Sequence, residues 1–361
     1  MLFQPFTLGS LPLRNRLVMA PMTRNRADEG HVPTPIMAEY YGERATIGLI
    51  ITEGVAPSPN GAGYPRIPGL YNAQQVEAWR PVTDAVHARG GRIFMQMMHT
   101  GRASHVANLP AGAEVLGPVA VAMPGDIWTD AAGMQSPSAP RAMTEADIAT
   151  AIAEYARSAQ LAIEAGFDGV EIHGANGYLV EEFLNANVNT RTDAWGGGAS
   201  ARNRFAVEVA RAVTAAIGAE RVGIRLSPYG AFNVTGAFDG IEAQFLELAR
   251  TLGEMKLAYL HLVDHSSMGA PTVPAEFKDA LRAAFGGVWI ASGGFDKAHA
   301  EQLLADGKAD LVAFGRAALA NPDLVERLVH DLPLNAADFS TFYTPGEKGY
   351  TDYPVMAASI A

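Results

Sequence analysis

The sequence predicts an α/β fold in which eight βα units close into a (β/α)8 barrel, with a capping segment inserted after the third strand. Three observations predict it. Short β-rich runs recur along the chain, each followed by a longer stretch with helical spacing. Several runs, such as IGLII and DLVAF, are apolar throughout, as strands covered by helices on both faces are. Eight such units favour closure over an open doubly wound sheet, the competing arrangement. The 361 residues also fit one barrel of about 250 residues decorated with long loops.

The strands expected are residues 16–21, 48–53, 92–97, 169–173, 222–226, 259–263, 288–291 and 311–314, the repeat of a TIM barrel. Helices are expected at 73–89, 145–165, 201–217, 241–252, 297–305 and 322–328. Thr144, followed by Glu145 and Asp147, caps the second of these, and acids in its first turn suit the helix dipole. Asn321-Pro322 reads as the start of the last, with Pro at the first helical position. Residues 1–15, 99–143 and 335–361 fall outside the repeat, and the whole of 1–361 reads as one barrel domain. The middle segment is rich in Gly, Pro and Ala and would lie over the barrel mouth, where loops build active sites.

Composition narrows the partners. Lys and Arg total 27 against 38 Asp and Glu, a net charge of −11 spread along the chain, and no basic stripe marks a nucleic-acid binder. A small-molecule partner is expected. With no cysteine, disulfides, thiolate nucleophiles and cysteine-based zinc or iron–sulfur sites are excluded. MLFQPFTLGS lacks the pattern of a secretory signal, and no stretch approaches the roughly 18 apolar residues of a membrane span. A cytoplasmic location with no membrane partner is the expectation; monomer and homodimer both remain open.

In a barrel, polar residues at the carboxyl ends of strands converge on one pocket. Here they are Thr23, Glu53, Gln96, His99, His173, Asn176, Tyr178, Arg225, His261, Asp264, His265, Ser292 and Arg316. ASGGF (with Gly293 and Gly294) and FGRA (with Gly315 and Arg316) close the last two strands. Glycines there let backbone N–H groups approach a phosphate, to which Arg316 adds charge-assisted bonds; tight turns are the plainer reading. Arg225, in GIRLSP, places a charge where burial demands an anionic partner, either a structural carboxylate or a cofactor that becomes anionic. EIHGANGYL brings His173, Asn176 and Tyr178 onto one loop, able to hold a substrate oxygen and deliver a proton. His261 and His265 could be read as metal ligands, but the first strand has no His-x-His pair to complete such a set. Lys256 precedes the sixth strand, so the lysine of a Schiff-base aldolase is missing.

These motifs resemble the old yellow enzyme family of FMN-dependent ene-reductases, over NRLVMAPMTR, QMMHTGR, EIHGANGYL, TRTDAWGG, GIRLSP, ASGGF, FGRAALANPDL and FY followed by GYTDYP. The resemblance implies that Ala20, Pro21, Met22 and Thr23 line one side of bound FMN, that Gly54 and Gln96 meet the isoalloxazine edge, and that Arg225 lies near N1 and the C2 carbonyl. Gly293, Gly294, Gly315 and Arg316 would take the phosphate. His173 and Asn176 would bind the oxygen of an activated alkene, hydride would pass from flavin N5 to the β-carbon, and Tyr178 would protonate the α-carbon. NADPH or NADH would be the reductant, using the same pocket. Tyr343 and Tyr64 would line the substrate cavity. Met98 stands where many relatives have tryptophan, which implies a more adaptable pocket wall. A flavin-free barrel lyase or isomerase gripping a phosphorylated substrate is the alternative, but it leaves Thr23, Gln96 and Arg225 without a shared purpose.

Overall fold

A computed structural model describes residues 1–356. Eight parallel strands close in sequence order: β1 Leu17–Met19, β2 Leu49–Val55, β3 Ile93–Met97, β4 Gly169–Gly174, β5 Val222–Leu226, β6 Tyr259–Val263, β7 Val288–Ser292 and β8 Leu311–Phe314. β8 returns to β1 with Phe314 opposite Met19, which completes the barrel. Most strand residues are buried because helices cover the outside while side chains fill the interior. The expected (β/α)8 TIM barrel is therefore the fold. β1 is shorter than expected, since Ala20 and Pro21 already belong to the loop above it.

Thr144 makes a full capping box with Asp147, and the helix Glu145–Glu164 that follows ends before Gly166 at φ 95°. The Asn321-Pro322 start was misplaced. The helix is Leu324–Val329, and the Asn321 side chain instead donates to Ala317 O and accepts from Asn335 N at 2.8 Å. Helices Pro35–Glu43, Leu179–Leu184, Ala275–Phe285 and Arg316–Ala320 were not expected. Three of them are only five to nine residues long, too short to show a clear helical period.

Three segments outside the repeat close the ends. Phe6–Leu8 and Leu11–Leu13 form a hairpin whose Leu8 and Leu13 pack on Val18, Ile51, Phe94 and Ile290, plugging one end of the barrel. Residues 99–143 carry the hairpin Ile127–Thr129 with Gly133–Gln135, and Leu116–Gly117 pairs with Arg141–Ala142. The described part of the C-terminal segment is held by arginines from the loop after β1. Arg24 donates to the Phe342 and Gly349 carbonyls, and Arg26 to those of Thr341, Phe342, Gly346 and Lys348. Tyr350 stacks on Tyr40 with ring centroids 3.9 Å apart, Arg26 lying over the Tyr350 ring and Arg44, just after helix Pro35–Glu43, over the Tyr40 ring. Residues 357–361 of the expected tail lie outside the described residues.

Candidate active site

Thr52 shapes the β2 side of the mouth. Its hydroxyl accepts the Gln96 backbone N–H at 3.1 Å and donates to the Glu53 carbonyl at 2.8 Å. The β2–β3 register shifts between Ile51 and Gly54, leaving Gly54 opposite Gln96. A Cβ on Gly54 would run into the Met98 sulfur, so backbone and thioether are in close contact there. Met98 is 1% exposed and clusters with Ala56, Ala62 and Ile67, while Tyr64 and Tyr178 pack against the group. Met98 is thus in one packed group with both phenols.

The loop after β4 turns through left-handed backbone at Asn176 (φ 59°) and Gly177 (φ 70°). A Cβ on Gly177 would lie 2.7 Å from the Phe232 carbonyl, so glycine is required by both conformation and space. Glu181 fastens this turn, accepting the Gly177 N–H at 2.6 Å and the Ser227 hydroxyl at 3.0 Å. Ser227 accepts the Asn176 N–H, and the Asn233 amide donates to the Asn176 carbonyl at 2.8 Å. The backbone of Asn176 is thus satisfied, while its buried side-chain oxygen has no partner among the described residues.

His173 faces the same space. Its Nδ1 accepts the Ala175 N–H at 3.2 Å, and burial, reinforced by the Arg225 charge, holds the ring well below its usual pKa. A neutral ring accepting at Nδ1 carries its proton on Nε2, which makes that atom a donor. The Tyr178 ring meets His173 edge to face at 4.9 Å and Tyr64 at 6.0 Å. Burial, with the Tyr64 phenol beside it, raises the Tyr178 pKa well above its ordinary value, so the phenol keeps its proton at neutral pH. Tyr343 is close enough for its phenol to add to the rise in the Tyr178 pKa; the residue is 60% exposed, and Arg66 holds its carbonyl at 3.1 Å.

Arg225 lies opposite His173 on β4 and His261 on β6, and is 6% exposed. Its Nε has no partner among the described residues; burial lowers its pKa, while Glu171 and Glu181 act in the opposite sense. Such a guanidinium calls for an anionic or carbonyl partner at the barrel mouth. Beneath it, Gln96 Nε2 donates to Glu171 and His261 Nδ1 meets the other Glu171 oxygen, both at 2.8 Å. His261 is thereby turned to a carboxylate.

Across the mouth, the ends of β7 and β8 are open. Gly293 and Gly315 are half-buried, and Gly294 and Arg316 are exposed. Gly294 has φ 77°, and a Cβ at Gly315 would meet only the Met22 sulfur, at 3.6 Å. Pro21, Met22 and Thr23 are half-buried beside this opening, and Ala20 is bonded to Phe314 below it. Glu53, His99 and Asp264 serve the scaffold instead. Glu53 accepts from Arg24 N and Tyr41, His99 Nδ1 accepts from Gly101 N, and Asp264 pairs with Lys278 at 2.6 Å.

Sequence reasoning missed Asn233 and the support given by Glu171 and Glu181. Glu171 carried a signal, since it stands two residues before His173 and so points to the same face of β4. Asn233 carried little, because only the folded β5 loop brings it to the turn after β4.

The geometry agrees with what the chain is similar to. The model of the NADH:flavin oxidoreductase / NADH oxidase family matches residues 1–335. Chanoclavine-I aldehyde reductase of Penicillium roqueforti is 43% identical over 99% of this chain and 96% of its own length. A probable flavin mononucleotide-dependent alkene reductase of Leishmania infantum is 42% identical over 98% and 97%. Morphinone reductase in complex with tetrahydroNAD superposes with a TM-score of 0.94 at 41% identity, over 100% of this chain and 99% of that one. The chain belongs to the NADH:flavin oxidoreductase / NADH oxidase family, the old yellow enzymes, as an FMN-dependent oxidoreductase driven by NAD(P)H.

Proposed function

We propose that this enzyme reduces the C=C bond of activated alkenes (enals, enones, maleimides and nitroalkenes), and that nitrate esters fit the same oxygen-binding site, with NADPH or NADH as reductant. The observation that carries the reading is the donor pair on the β4 loop: neutral His173 with its proton on Nε2 beside an Asn176 amide whose Nδ2, the donor, makes no hydrogen bond among the described residues, as its buried Oδ1 makes none. Two such donors suit a carbonyl or nitro oxygen.

The open groups fit FMN. Arg225, whose Nε has no partner among the described residues, suits the electron-rich pyrimidine edge, and the exposed Arg316 beside the open backbone at Gly315 and the glycines Gly293 and Gly294 suits a phosphate. Ala20, Pro21, Met22 and Thr23 would flank the ring, with Gly54 and Gln96 at its edge. When bound, the flavin supplies hydride chemistry, accepting from the nicotinamide and giving to the β-carbon. His173 and Asn176 bind and polarise the alkene's activating oxygen. Tyr178 holds its proton through burial and gives it to the α-carbon. Tyr64 and Tyr343 shape the cavity and exclude water, and Met98 acts on it through its packing against Tyr64 and Tyr178.

The test is a substrate panel run anaerobically with both nicotinamides. The purified protein should be yellow, NADPH or NADH should bleach it, and an enone or maleimide should restore the colour. His173→Ala should slow recolouring by roughly 10²–10³-fold. A colourless protein that cannot be loaded with FMN, or alkene reduction unchanged in His173→Ala, would overturn the proposal.

A further inference from the structure

A buried polar file, His261–Glu171–Gln96, crosses the barrel interior from β6 through β4 to β3. His261 and Glu171 are fully buried and Gln96 is 2% exposed, so the cluster has no solvent to screen it. The two Glu171 oxygens divide their work. One takes the Gln96 amide N–H and the other faces His261 Nδ1. Burial lowers the His261 pKa, which makes the ring neutral and Nδ1–H the donor. A carboxylate in this position accepts only, so the Gln96 amide is oriented: its nitrogen is committed to Glu171 and its oxygen is turned the other way. Glu171 is also among the charges that act on Arg225.

We propose that Glu171 is a positioning residue that sets the electron affinity of the bound flavin. It rests on the FMN placement proposed above. Two effects work in the same direction. The Glu171 charge polarises the Gln96 amide and strengthens its oxygen as an acceptor, a cooperative effect along a hydrogen-bonded chain. The same charge offsets Arg225, which alone would favour a ring that gains negative charge on reduction. Glu171 therefore makes the flavin harder to reduce than Arg225 on its own would.

The experiment is the midpoint potential of the FMN-loaded protein, measured against reference dyes. Glu171→Gln, nearly isosteric but uncharged, should favour reduced over oxidised FMN about tenfold, near +30 mV for a two-electron couple. Glu171→Met, also uncharged, should move it the same way and carries the test should Glu171→Gln not fold. Glu171→Asp keeps the charge and should stay within about threefold of the parent. A potential that is unchanged or lowered in the uncharged variants overturns the inference, as does an equal rise in Glu171→Asp. If the parent protein binds no FMN, the functional proposal falls and this one with it. A yellow parent whose potential does not respond removes only the role of Glu171.

Discussion

At the residue scale, the proposed chemistry turns on which buried groups keep their protons. Tyr178 keeps its proton because burial and the adjacent phenol oppose ionisation. Tyr178→Phe should leave bleaching by NADPH intact and slow alkene reduction by roughly 10²–10⁴-fold, the usual weight of a general acid, which stopped-flow of the two half-reactions resolves. Met98 packs with Tyr64 and Tyr178 and against Gly54, so Met98→Trp should displace those rings. Chiral chromatography of products from substituted enones should show a changed stereochemical ratio or substrate range; identical profiles would mean Met98 does not shape the cavity. His173, Asn176 and Tyr178 were legible because six residues of one motif carry all three. Asn233 was not, because its bond to the Asn176 carbonyl spans two βα units and 57 residues.

At the element scale, the strands were legible because each is a short apolar run followed by a helical period. Short helices escaped notice where too few turns exist to establish a period, and Asn321-Pro322 misled because the asparagine is used to tie down Asn335 rather than to cap a helix. The tail was legible as an extra segment but not in its attachment. Arg26 is 3% exposed and donates to Thr341, Phe342, Gly346 and Lys348 carbonyls. Arg26→Ala should cost about 2–4 kcal/mol by stranding those acceptors, lowering the melting temperature and opening the tail to limited proteolysis. An unchanged melting point and cleavage pattern would show that the other contacts suffice.

At the scale of the whole molecule, buried ionisable groups set how stability follows pH. Burial raises Glu53 to about 7 and Glu181 and Glu182 to about 8, from 4.5. Between those values the folded chain holds more protons than the unfolded one, so this contribution is full below 4.5 and is lost as pH rises through 7 to 8. Burial lowers His99 and His265 from 6.5 to about 4, which opposes that loss only below 6.5. The melting temperature should therefore fall from about pH 6.5 to about pH 8.5, and Glu182→Gln should flatten the decline. A thermal scan across buffers with equal slopes for parent and variant would contradict it.

The arginine clasp has a consequence for how the cavity can be altered. The hydrogen bonds by which Arg24, Arg26 and Arg66 grip Thr341 to Gly349 run to peptide oxygens, apart from one to the Thr344 hydroxyl, and Arg24 also lies over the Phe342 ring. Anchorage is thus indifferent to the side chain at several positions of the strap, though not at Gly349, where φ is 65° and a Cβ would strike the Thr341 side chain. Position 343 behaves as an exchangeable panel: its hydrogen bond to Arg66 is made by the main chain, and its largely exposed side chain, which meets only the Phe342 ring among the described aromatic rings, can be swapped without removing that bond. Selectivity can drift or be engineered there while the barrel and the residues proposed to cradle the flavin and hold the substrate oxygen stay as they are.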